Sequence, residues 1–371
     1  MIKTHGIHHI SSMVGHAQKN IDFYAGVLGY RLVKQTLNYD DKNMYHLYYG
    51  NREANTGLVT TFPMNNTVDG QLGSGQVSVA GYGIRPNTIK FWEERLKSFG
   101  IKTFRYTKFN QNRLGFKDLD NQQIDLVETD KGPINTWEFN GVDSNNALIG
   151  IDNALIYSSN PQETFNLLTN ILGYSLIDQD NENYLLQVNN ELGGTLELSK
   201  YPKQRGVMGK GSVHHIAFKV LDNEIEAWFD LLVEAGFKPT KVKNRKYFKS
   251  IYFREKGGLL IELATLSPGM SVDETIDTMG TQLIIPDHYK NDDHSNLMPI
   301  QVREVSELKG YGYRDRFEYE LLQEKTQIKN EIKKLKSKPQ LTTLEQSQLE
   351  DLKQQYLQKG AKQNDNKTTS I

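Results

Sequence analysis

The 371-residue chain contains no cysteine. That absence excludes a disulfide framework, a thiolate metal site and a cysteine nucleophile together, so any metal chemistry must draw on His, Asp and Glu. Neither sign of charge is in excess. The 44 Lys and Arg stand against 45 Asp and Glu, a net charge of −1, which leaves nothing to hold a phosphate backbone, and no nucleic-acid partner is expected. No apolar run approaches the roughly 20 residues of a membrane span, and the opening MIKTHGIHHISSMVGHAQ lacks the apolar stretch of a secretory signal. The expectation is a cytoplasmic protein with no membrane partner.

What the chain does have is repetition. Residues 18–33, QKNIDFYAGVLGYRLV, read as a helix ending at Leu28-Gly29-Tyr30 and then a strand, and residues 162–177, QETFNLLTNILGYSLI, repeat this with Leu172-Gly173-Tyr174. A second pair matches within itself: Ile89-Lys90-Phe91-Trp92 through Gly100-Ile101-Lys102, and Ile225-Glu226-Ala227-Trp228 through Gly236-Phe237-Lys238. Four units follow. Each opens with a strand, crosses through a helix of about three turns and returns through about three strands. In the first unit these fall at 7–14, 18–27, 30–37, 44–49 and 56–62. The glycine after each helix (Gly29, Gly100, Gly173, Gly236) sits where a left-handed C-cap is needed. The fold class is α+β: four βαβββ units forming curved sheets covered on one face by helices. Residues 1–135 and 147–275 hold two units each, and 276–316 form an irregular extension. In residues 317–371, Leu321, Ile328, Ile332 and Leu335 fall at heptad spacing, a break follows at 337–340, and Leu349, Leu352 and Tyr356 resume the pattern. That tail reads as an antiparallel helical hairpin with a frayed polar end from residue 359, serving as an appendage or a self-association element.

Period-two alternation assigns the histidines to faces. In the first strand His8, Ile10 and Val14 share one face and His9, Ser11 and Met13 the other; in residues 212–220, His214, Ile216 and Phe218 oppose His215, Ala217 and Lys219. The bulky apolar side meets the helix, so His9 and His215 point to the concave surface. Near the end of unit four, Leu259, Ile261 and Leu263 make a helix-facing row that leaves Glu262 on the other face. A carboxylate in so apolar a strand requires a cation or several donors. Two imidazoles and a carboxylate on concave faces are the donor set of a facial non-haem Fe(II) or Mn(II) site; the bland alternative for each His-His pair is core hydrogen bonding. His46 shares a face with Met44 and Tyr48 and is a candidate to flank the site, whereas His5, His16, His288 and His294 read as surface residues.

At these positions the sequence resembles the vicinal-oxygen-chelate superfamily, which includes glyoxalases, bleomycin resistance proteins and extradiol dioxygenases, and within it the hydroquinone-type ring-cleaving dioxygenases. Gly6-Ile7-His8-His9-Ile10, residues 20–34, Met44-Tyr45-His46-Leu47-Tyr48-Tyr49-Gly50, Val213-His214-His215-Ile216 and residues 252–264 carry the match. The resemblance implies modules paired into cups, Fe(II) held by His9, His215 and Glu262 (with Mn(II) or Zn(II) as alternatives), and O₂-dependent cleavage of a small aromatic substrate, in quinone detoxification. It also implies a tyrosine ten residues before the carboxylate, here Tyr252, as an acid/base partner. Catechol-cleaving relatives carry a histidine just before that tyrosine. Residues 241–249 have none, which points to a 1,4-diol rather than a 1,2-diol. Counting from the Leu-Gly-Tyr motifs places Asn153 where His9 stands, Val79 in place of His215, and Asp125 in place of Glu262. A site must therefore combine units one and four, either within one chain or by exchange in a homo-oligomer. Two rival functions remain. A glyoxalase-type lyase or isomerase using Zn(II) or Ni(II) needs a fourth protein ligand, and residues 57–62 offer no carboxylate. A non-enzymatic aromatic-binding or resistance protein predicts that His9→Ala and Glu262→Ala leave binding intact.

Overall fold

A computed structural model describes residues 2–64, 67–304, 308, 328–329, 331–338 and 340–368. Unit one comprises β1 (Ile7–Val14), α1 (Ala17–Ile21), which widens into a π-helical turn over Asp22–Val27, and β2 (Arg31–Asn38), β3 (Asp41–Gly50) and β4 (Leu58–Pro63). Unit two follows as β5 (Gln76–Ile84), α2 (Ile89–Ser98), β6 (Thr103–Lys108), β7 (Gln111–Lys117) and β8 (Gln123–Glu128). Unit three is β9 (Gly150–Tyr157), α3 (Pro161–Asn170), β10 (Ser175–Gln179), β11 (Asn183–Gln187) and β12 (Thr195–Ser199). Unit four is β13 (Ser212–Lys219), α4 (Ile225–Glu234), β14 (Lys243–Asn244), β15 (Lys249–Arg254) and β16 (Leu260–Ala264).

The helices form where an apolar stripe recurs on one face. Ile89, Trp92 and Leu96 in α2, and Ile225, Trp228 and Leu232 in α4, are the buried residues of their helices. Asn160 caps α3 ahead of Pro161 at its first position. All four expected C-cap glycines take positive φ, between 64° and 86°.

Strand pairing decides which units cooperate. One sheet runs β14-β15-β16-β13-β1-β4-β3-β2-β17 and the other β10-β11-β12-β9-β5-β8-β7-β6, where β17 is Leu283–Ile284. Units one and four thus share a sheet within a single chain through antiparallel β1 and β13, and units two and three share the other through β5 and β9. Beyond β16 the chain turns back across the first sheet. β17 pairs with β2 in parallel, Leu283 opposite Gln35, and so covers what would be an open edge.

The tail, residues 308–371, is a separate compact unit. It has helical residues at 331–336 and α5 (Thr343–Thr368), and Ile328, Leu335, Leu349 and Leu352 form its buried cluster with Ile332 and Leu341 packed beside them. All but Leu341 are positions of the expected heptad. Leu321 and the side chain of Tyr356 lie outside the described residues. The polar end is helical through Thr368 rather than frayed from residue 359, consistent with the helix-forming Ala361, Lys362 and Gln363. Among the described residues no helix is long and apolar enough to cross a membrane.

Candidate metal centre and its cavity

β1 and β13 lie side by side at the middle of the first sheet. Their register slips at two points: Ile7 faces Phe218 but His9 faces Ala217, and Ser11 faces His215 but Ser12 faces Val213. His8 and His214 are the extra residues, each a bulge without a partner across the ladder. A bulge re-aims its side chain, and this corrects the strict alternation that sent His8 and His214 to the helix face. Nδ1 of His8 lies 2.8 Å from Nδ1 of His9, and Nδ1 of His214 lies 2.8 Å from Nδ1 of His215. Each concave-facing imidazole is thereby braced from behind by the histidine preceding it.

Glu262 enters from β16, opposite Ala217 on one side and Tyr252 of β15 on the other. Nε2 of His9 and Nε2 of His215 are 3.1 Å apart, and each is 2.9 Å from Oε2 of Glu262. All three residues are buried. Burial on its own would raise the Glu262 carboxyl, but the two imidazoles outweigh it and hold it well below the usual carboxylate range. Burial lowers His215, and it lowers His8 to about 3 and His214 to about 4 with help from the neighbouring ligand imidazoles, so both bracing rings are neutral near pH 7.

This donor set fits a divalent metal. Metal–ligand bonds of about 2.1 Å at right angles place neighbouring donor atoms about 3 Å apart, the spacing seen here. Beyond the two imidazoles, neither oxygen of Glu262 has a hydrogen-bond partner among the described residues, and two imidazole nitrogens converging on one buried carboxylate oxygen form a set that a cation satisfies.

Above the three donors is a cavity of about 330 Å³ whose lining includes His9, His46, His215, Arg245, Phe248 and Tyr252. Tyr252 sits edge-on to His215, ring centres 5.6 Å apart. Burial and then Glu262 push its phenol above its ordinary value, which keeps it a proton donor. His46 packs against Tyr48 and Phe62 with tilted rings whose centres are 4.1 and 4.3 Å away, shares hydrogen bonds with the Tyr48 hydroxyl at 2.9 Å and Thr60 at 3.1 Å, and is held neutral by burial and the nearby His9 and His215. His5, His16, His288 and His294 are not part of this cluster. Sequence reasoning missed Arg245. Its guanidinium lies 5.4 Å from the Tyr252 ring and 6.0 Å from the Tyr39 ring, and it donates to Asp40 at 2.9 Å. Nothing periodic marks it, because the turn that carries it precedes a strand of only six residues.

The profile of the Glyoxalase/Bleomycin resistance protein/Dioxygenase superfamily matches residues 6–125 and 150–263. The chain is 40% identical over 308 residues to the Bacillus subtilis protein named "Putative ring-cleaving dioxygenase MhqO", covering 82% of this chain and 99% of that protein. It is 31% identical to the "Chlorohydroquinone/hydroquinone 1,2-dioxygenase" of Sphingobium indicum, covering 76% of this chain and 91% of that one. A solved Bacillus subtilis structure, described as a putative dioxygenase, superposes with a TM-score of 0.80 at 39% identity and covers 82% of this chain and 100% of its own.

Proposed function

Because the chain belongs to the Glyoxalase/Bleomycin resistance protein/Dioxygenase superfamily and is an oxygenase enzyme, we propose that it is an Fe(II)-dependent extradiol-type dioxygenase that opens the ring of hydroquinones or related phenols, in quinone detoxification. The convergence of His9, His215 and Glu262 within 2.9–3.1 Å of one another beneath a ring-sized cavity carries this reading.

Iron held by these three side chains would supply open positions at which substrate and O₂ meet and through which electrons pass between them. The protein's own residues do the rest. His8 and His214 fix the tautomer and tilt of the two ligand rings. Phe248 and Phe62 wall the cavity and exclude water from the ring. Tyr252, protonated in its buried setting, donates to a substrate oxygen and can hand over its proton as the ring opens. Arg245, in the 241–249 segment that carries no histidine, offers a fixed cation to a phenolate rather than a titratable base, and this favours a 1,4-diol. Thr60, which binds His46 and the Ser11 hydroxyl, stands on the strand where a lyase-type site would need a fourth carboxylate ligand.

The test is anaerobic Fe(II) reconstitution followed by oxygen uptake with a panel of hydroquinones and catechols. One O₂ consumed per hydroquinone, with catechols slower, is expected. Iron demonstrably bound without uptake overturns the proposal, and tight zinc binding with no affinity for iron turns it toward the lyase. Phenol binding that survives His9→Ala and Glu262→Ala, with no turnover in the parent protein, favours the binding-protein alternative.

A further inference from the structure

Lys34 is a fully buried lysine on β2 that takes no part in the metal centre. Its Nζ lies 2.6 Å from Oδ1 of Asp273 and also binds Glu274. Both carboxylates belong to the segment after β16, outside the residues matched by the family profile. The other oxygen of Asp273 receives Lys246 Nζ at 2.7 Å and the Tyr247 hydroxyl at 3.1 Å. Lys34 Nζ in turn lies 4.9 Å over the Tyr247 ring. A single carboxylate therefore joins β2, next to the last strand at one edge of the first sheet, to the turn between β14 and β15, at the other edge.

That turn is where the cavity gets two of its walls. Lys246 holds φ at +68°, a left-handed conformation that a lysine keeps only under constraint. On its two sides the turn projects Arg245 and Phe248. Phe248 packs its ring 5.0 Å from His8 and 5.5 Å from His9. The backbone closes the turn by Arg245 N–H to the Phe248 carbonyl at 2.9 Å, and Gly269 N–H, from the segment leading to Asp273, donates to the Tyr247 carbonyl at 2.9 Å.

We propose that Asp273, with Lys34 as its buried counter-ion, is a positioning residue for the substrate cavity: it clamps the 245–248 turn and so fixes Arg245 and Phe248 against the metal centre. The segment following the last repeat is then a working part of the site. The ring-cleavage reading underlies only the catalytic half of the test; the structural half stands without it.

Asp273→Asn removes the charge that Lys246 and Tyr247 share and leaves Glu274 to pair with Lys34, so the chain retains a counter-ion in that buried position. On the metal-free protein, amide exchange in the peptide spanning 243–250 is expected to rise about tenfold or more while exchange in β1 and β13 is unchanged. In the iron-loaded enzyme, kcat/KM for hydroquinone is expected to fall about 10- to 100-fold at unchanged iron content. In an Arg245→Ala background the same Asp273→Asn change should cost clearly less than in the parent, because the part that acts through Arg245 is already lost and only the part through Phe248 remains. Unchanged exchange in 243–250 overturns the clamp. Faster exchange with a catalytic loss fully additive to that of Arg245→Ala overturns the positioning role. If no hydroquinone is turned over by the parent protein, the exchange measurement still decides whether the clamp exists. Should Asp273→Asn not fold, Lys246→Met cuts the same clamp from its other end with the Lys34 pair intact, and the same exchange result applies.

Discussion

The two sheets are the same frame with opposite contents. In the second sheet Gly81 faces both Asn153 and Asp125, as Ala217 faces both His9 and Glu262 in the first, and Val79 faces Leu155 as His215 faces Ser11. Even the bulges recur: the second sheet slips at Ser78 and at Asp152, the positions of His214 and His8. Yet the second set of positions holds an internal ion cluster. Arg113 lies 2.6 Å from Glu197 and 3.7 Å from Asp125, Lys108 adds a contact to Glu197 at 2.5 Å, and Tyr106 donates to Asp125. Glu197 aligns with Thr60, and Gly115 with Tyr252. In one cup the converging groups form a candidate cation site; in the other a guanidinium supplies the positive charge. The fold provides a bulged mount for facing side chains, and the residues on the mount decide between a reactive centre and a closed core.

The comparison can be broken at several points. Glu262→Gln or His9→Ala should reduce bound metal to under a tenth of the parent by elemental analysis, because a facial site with two ligands holds poorly, whereas Asn153→Ala should leave metal content unchanged. Metal lost on changing Asn153 would mean that both cups bind. Arg113→Met removes the buried cation that Asp125 and Glu197 share, leaving Glu197 only Lys108, and should cost about 3–5 kcal/mol in urea unfolding, with metal per folded chain unaltered. His8→Ala should weaken metal affinity about 10- to 100-fold in a chelator competition, since it releases the back of the His9 ring; retention of metal in His9→Ala but not in His8→Ala would reverse their assignment. The smallest effect belongs to Gly115→Ala. A Cβ there would meet the Phe104 ring at 2.3 Å, but that ring is 51% exposed and can swing away, so the expected cost is its stacking on Tyr106, about 1 kcal/mol. A loss beyond about 3 kcal/mol would show the ring to be fixed in place.

Much of this was legible before any coordinates. The Leu-Gly-Tyr repeats mark the units, and the alternation around His9, His215 and Glu262 places three donors that the structure brings together. The correspondence of Asn153, Val79 and Asp125 with those donors is the one the strand register shows. What stayed hidden has a common cause: it breaks a period. His8 and His214 sit at bulges, where parity fails for one residue. Arg245 and Phe248 flank a left-handed lysine, which no local propensity announces. Asp273 lies 239 residues from its partner Lys34, in a stretch with too little regular structure to read as anything but a connection.

The pairing of the first unit with the last also has a temporal consequence. His9 and His215 are 206 residues apart in the chain, and at ribosomal speeds of about 5–20 residues per second that separation is tens of seconds of synthesis. By the end of that interval every strand of the second sheet, contiguous in sequence over residues 76–199, has been made, while β1 keeps one edge unpaired until β13 arrives. On the proposed ligand set, the centre is complete only once Glu262 on β16 of the last repeat has been made and seated.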